Sequence, residues 1–338
     1  MLFQAFISFF FKQPKKKAQV KVATGVKRKQ GQATATSAPP LPEPAVVPEV
    51  EHPDDRVVEE VEVDEEGVMD EGKAAHDEAT IRSIKGQAIA EASTKYGLQM
   101  TPHEERSALT IFPKVAGLAR RVHDSGTLPG IFENLVKANK MTANGQKVTL
   151  DRRVPTRWNS DLTCLAAHVH FETPVKQLTS TETGLSQYAL TAEQWKLTKE
   201  LKEVLEIFKD LTRLFSQAEV PLIYEVIPML ERLEEELTNV RDDPNLPTVI
   251  RIAAVAGLLV VGKYYALTDD AEVYRIAIIM CPDKKLDWFN TNPGWLPADR
   301  VEAEHIVRQH WEETYAPRRA PEATEASSQL PPAVKVCT

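Results

Sequence analysis

The sequence predicts a mostly α-helical fold, and three observations lead to it. From about residue 85 onward, apolar residues recur every three to four positions, most clearly in "TAEQWKLTKELKEVLEIFKDLTRLFSQ". No run of alternating apolar and polar residues argues for strands, and no internal repeat is evident. The first eighty or so residues and the stretch after 315 hold too few large apolar side chains to offset their ordering entropy, so the folded mass must lie between them. With 338 residues, 42% of them hydrophobic, the chain can still build a sizeable core.

The elements follow in order. Residues 1–11, "MLFQAFISFFF", read as an apolar helix-like segment that runs straight into a linker, like the remnant of a larger fold. A signal peptide or membrane span is rejected for it, because it is only eleven residues long and its positive charges follow the apolar run. Residues 12–84 are expected to be a disordered linker, first basic, then Pro-rich, then acidic. Eight basic residues and no acid lie between Lys12 and Lys29, whereas fifteen carboxylates face only Arg56 and Lys73 between Glu43 and Glu78. Such blocks make a solvated tail; the sharper alternative is a bipartite nuclear-import signal built on Lys15, Lys16, Lys17, Lys27, Arg28 and Lys29. That alternative predicts a nuclear location, and the tail reading leaves the chain cytoplasmic.

Residues 85–160 read as a helical segment that ends in a loop. Leu109, Val115, Leu118 and Val122 share one face, with Pro113 marking a helix start or kink. Ile131, Leu135 and Ala138 continue the pattern, and Pro155 then pushes its predecessor toward an extended conformation, which places Arg157 and Trp158 on a loop or at a helix entry. Residues 161–315 read as a second helical domain. Thr191 and Gln194 form a capping-box pattern ahead of Trp195, Leu201, Val204, Leu205, Phe208, Leu211 and Phe215. The stretch 221–240 is one helix or two, with Pro221 near a first turn, Pro228 as an interior break, and Leu230, Leu233 and Leu237 as an apolar edge. The run from Ile252 to Val261 is apolar all round and too short to span a bilayer, so a buried central helix is expected there. A last helix opens near Pro297, and residues 316–338 are expected to be a disordered tail.

Catalytic signatures are missing. The sequence has no GxSxG, P-loop, GxGxxG or HExxH pattern. Cys164, Cys281 and Cys337 are odd in number and far apart, which excludes a disulfide framework and a CxxC metal clamp and fits a reducing compartment. His168 and His170 lie near Cys164, where a metal site competes with the more ordinary reading of unliganded helix histidines. The acidic run between Glu59 and Glu66 lacks the ligand order of an EF-hand. Spacing alone does not gather Asp124, Asp151, Asp161, Asp210 and Asp283 into a two-metal site, which needs carboxylates converging from strand ends.

"TRWNSDL", residues 156–162, resembles the Arg-Trp segment of hAT-superfamily transposases. Other stretches resemble the same family in the same order: "PKVAGLARRVHDSGTLPGIFENL" before it, "WKLTKELKEVLEIFKDLTRLFS" and "KYYALTDDAEVYRIAIIMCPDKKLDWF" after it, and "AFISFFFKQPKKK" at the start. Together they cover roughly residues 1–15 and 105–315. The resemblance implies the helical insertion domain of a ribonuclease-H-like transposase without a complete catalytic core. The family's two aspartates and one glutamate have no counterpart here, nor do its zinc-binding finger and C-terminal dimerisation segment. The implied product is therefore a catalytically inactive remnant or a truncated form of a transposase, with no cofactor; the intact family would use a divalent metal such as magnesium.

Two readings stand for Trp158. By resemblance it stacks on a displaced base at a DNA end, with Arg157 paired to phosphate. Alternatively it packs between helices. The first makes DNA the partner, although the net charge of −8 offers little electrostatic footprint outside Lys12–Lys29. The second leaves a helical protein-interaction module docking through the 192–237 helices. Neither reading calls for a membrane or a small-molecule substrate.

Overall fold

In a computed structural model of the chain, described for residues 1–11, 71–141, 148–154, 157–182, 184–216 and 222–317, helices make up nearly all the regular structure. No strand occurs among the described residues. The linker from 12 to 70 and the tail from 318 to 338 lie outside them. The chain divides into two units, Met1–Val220 with Met229–Ala266, and Pro221–Pro228 with Leu267–Thr338.

The first unit opens with α1 (Leu2–Ile7), a short helix whose Phe3 and Phe6, together with Phe9 and Phe10 just beyond it, are buried. The apolar segment expected at 1–11 is thus a piece of the core. α2 (Glu71–Tyr96) begins inside the stretch expected to be linker as far as 84. Its surface is polar, and i,i+4 pairs such as Arg82–Glu78 at 2.7 Å and Lys95–Glu91 at 2.8 Å support it. Ala88 and Ala92 provide its small buried stripe. Gly97, at φ 65°, turns the chain out of this helix so that Leu98 re-enters the core.

α3 (Pro102–Leu109) starts with a capping box between Thr101 and Glu104, and the chain breaks at Thr110 before α4 (Ile111–Asp124). Pro113 lies in the first turn of α4, where its missing N–H costs nothing, so it marks a start as expected. α5 (Leu128–Ala138), α6 (Asn159–His170) and α7 (Glu172–Thr181) follow. α6 packs against α4 and against α8 (Ala192–Phe215), so the boundary expected at 160 runs through the core of one unit. The Thr191–Gln194 capping box forms as its spacing predicts. Trp195, Leu201, Val204, Leu205 and Phe208 are buried, but Phe215, predicted on the same face, is 46% exposed in the last turn of α8.

α9 (Val226–Asp242) follows a single 3-10 turn, Ile223–Glu225. Pro228 sits in its first turn and does not break it, correcting the interior break expected there. α10 (Thr248–Asp269) is buried over its apolar run as expected, with Ile250, Ile252, Ala253, Ala254, Val255, Ala256 and Val261 all in the core. By length and composition it is the one described helix able to cross a membrane, yet 56% of its most apolar window is packed inside the protein. Gly257 lets Leu237 approach closely: a Cβ built there would stand 2.9 Å from Leu237 Cδ1.

The second unit holds α11 (Val273–Met280), α12 (Lys285–Thr291) and α13 (Pro297–Thr314), the last opening at Pro297 as expected. Its core is small, built around Ile278, Phe289, Trp295, Ala303 and Ile306, with Phe289 and Trp295 edge to face at 4.8 Å.

Candidate functional site

The Arg-Trp segment leads into α6, and side-chain hydrogen bonds add to the backbone ones at that entry. Ser160 supplies the closure. Its hydroxyl accepts from the Val154 N–H at 2.8 Å and donates to the Arg157 carbonyl at 2.6 Å, while the Arg157 N–H donates to the Val154 carbonyl at 2.9 Å. One residue further on, Asp161 is buried and paired with the Arg153 guanidinium, whose side chain is only 15% exposed. That pair ties the two ends of the loop together across eight residues. Asn159, Ser160 and Asp161 also form the first turn of α6, where the helix dipole favours a carboxylate.

Arg157 and Trp158 stand on this frame and diverge. Arg157 is exposed, and Trp158 is half-buried against the core. The ring of Phe3 covers part of the indole, with centroids 4.9 Å apart and planes tilted by 45°, and Phe3 meets Phe208 edge-on at 5.8 Å. Arg153 in turn lies over the Phe11 ring at 4.5 Å. Arg152 reaches Asp124 at the end of α4, at 3.5 Å. The sequence placed Arg157 and Trp158 correctly at a helix entry. What it missed is the N-terminal segment: no local pattern signals that Phe3 and Phe11 pack beside a loop some 150 residues away in the chain.

The other candidates fall apart or lie outside the described residues. His168 is buried and shares a helix face with Cys164, whereas His170 is exposed. Burial pulls the His168 imidazole down to about 4, only partly offset by the nearby Cys164 backbone, and its Nδ1 is buried with no hydrogen-bond partner. Burial, with Asp161 nearby, pushes the Cys164 thiol far up, so neither side chain is primed for chemistry at neutral pH. Among the described residues no three His, Cys, Asp or Glu side chains gather to hold a metal. A shallow depression of about 350 Å³ is lined by Arg121, Asp124, Ser125, Leu128, Glu182, Gly184 and Leu185. Its Ser125 hydroxyl accepts from the Leu128 N–H at 3.2 Å, serving the start of α5. The acidic run from Glu59 to Glu66 and the basic residues Lys15, Lys16, Lys17, Lys27, Arg28 and Lys29 lie outside the described residues.

No protein-family model, curated protein or solved structure matches this chain.

Proposed function

We propose that the chain is a catalytically inactive, hAT-transposase-like helical domain that contacts DNA through the Arg157 loop. The observation that carries this reading is the framing around Arg157: a buried Arg153–Asp161 pair and the Ser160 closure flank an exposed Arg157 that adjoins the half-buried Trp158. With the Arg157 N–H and carbonyl already bonded, mainly side-chain freedom is lost when its guanidinium pairs with a phosphate. The "TRWNSDL" resemblance supplies the family, and no residue matches the family's catalytic carboxylates. Nuclear import through the Lys15–Lys29 clusters fits the same role.

The test is DNA binding as a function of salt. The reading expects an affinity that falls as salt rises, and Arg157→Ala should flatten the slope of log affinity against log salt by about one unit, the share of one phosphate contact. Absence of salt-dependent binding, or an unchanged slope in Arg157→Ala, refutes it. A second reading, a protein-interaction module using the 192–237 helices, is favoured by one observation: Phe215 is 46% exposed at the end of α8. That reading expects Trp158→Ala and Arg157→Ala to leave partner binding unchanged.

A further inference from the structure

We propose that the groove filled by residues 1–11 accepts that segment in trans from a second copy of this chain, so that copies associate by exchanging it. The segment is built as a self-contained plug. Its backbone bonds close on themselves, Ala5 N–H to the Met1 carbonyl at 2.9 Å, Ser8 to Gln4 at 3.1 Å and Phe10 to Ile7 at 2.9 Å. Its attachment to the rest of the unit runs through side chains: Phe3 on Trp158 and Phe208, Phe6 on Phe208 at 5.4 Å, and Phe11 near Phe112 at 6.4 Å. Lys85 adds the polar latch, donating to the Ser8 carbonyl at 3.3 Å with its ammonium 4.8 Å from the Phe9 ring centre. Phe6 and Phe10 are fully buried by this fit, and Phe9 almost so.

None of these contacts needs the covalent link that follows Phe11. Fifty-nine residues, 12–70, separate the plug from α2, a contour of about 200 Å at full extension. A chain of that length is long enough for the plug to reach the groove of a neighbouring molecule, and high protein concentration favours that exchange over the tethered contact. A second copy is the occupant whose shape is already known to fit, because it carries the same plug, and reciprocal exchange closes a symmetric pair in which each Phe3 covers the other copy's Trp158. The inference is independent of any DNA contact.

The experiment uses the full chain with a site-specific protease sequence inserted between Gly31 and Gln32, cleaved after folding. The two parts are expected to stay together on gel filtration. A fluorescent peptide of residues 1–11 should then exchange into the groove saturably, and the same peptide carrying Phe6→Asp should compete at least about tenfold more weakly, the loss of one well-buried contact. Uncleaved protein refolded at high concentration should contain dimers that revert on dilution and reheating. Separation of the cleaved parts without peptide uptake overturns the proposal, as does uncleaved protein that stays monomeric throughout. Equal competition by a scrambled peptide of the same composition also overturns it, since the groove would then take apolar helices at large.

Discussion

Adjacent in sequence, Arg157 and Trp158 meet opposite environments, and their substitutions should separate accordingly. Arg157→Ala is expected to change stability by no more than about 0.5 kcal/mol, as at most exposed sites. Trp158→Ala removes a half-buried indole from Phe3 and should cost about 1–3 kcal/mol, less than a fully buried tryptophan. Arg153→Ala removes the guanidinium paired with the buried Asp161 carboxylate and should cost about 3 kcal/mol. Urea midpoints at constant slope distinguish the three, and an Arg157 effect as large as that of Arg153 would mean the loop is framed differently. His168 adds a pH dependence. Its pKa is about 4 in the folded chain against about 6.5 when unfolded, so between those values the unfolded chain binds more protons and stability rises with pH. The stabilisation is complete above about 6.5 and lost as pH falls toward about 4, a change of order 3 kcal/mol. His168→Gln should flatten that part of the stability curve; a profile that keeps its slope in the variant places the titration elsewhere.

At the scale of elements, Gln194 shows how one side chain serves two levels. As the third helical residue of α8, its carbonyl oxygen accepts from the Thr191 N–H at 3.1 Å, completing the capping box. The same oxygen accepts from Lys114 Nζ at 3.2 Å, and its amide donates to the Ser107 carbonyl at 3.1 Å and to Thr110 Oγ1 at 2.8 Å, joining α8 to α3 and α4. Gln194→Leu should therefore cost more than the roughly 1 kcal/mol of a lost cap, about 2–4 kcal/mol in all, whereas Glu104→Leu at the exposed box of α3 should cost only the cap. Equal losses by thermal denaturation would show that the buried links add nothing. The cap was legible in the sequence because it is local; the links were not, since they join positions 80 to 87 residues apart. The same division runs through the chain. The helices from Thr191, around Ile252 and from Pro297 follow from period and caps, while α2, polar on nearly every face, and the docking of Phe3 beside Trp158 depend on contacts that no periodicity records.

At the scale of the whole molecule, the two units differ in how much they bury. The first encloses four phenylalanines from residues 1–11 and most of α10 from Val249 to Val261. The second encloses only a handful of large side chains, among them Ile278, Phe289 and Trp295, and leaves Met280 70%, Val301 69% and Trp311 56% exposed. Every residue of α13 from Arg308 onward is exposed. Burial supplies most of the free energy that holds helices closed against local opening, so protection should follow it. Amide hydrogens of 273–314 are expected to exchange well before those of 250–261, with those after Arg308 fastest of all. Hydrogen exchange read by mass spectrometry on the full chain checks this. Equal protection in both units would mean that they open together as one cooperative body, and stability changes measured in the first unit would then report on the second as well.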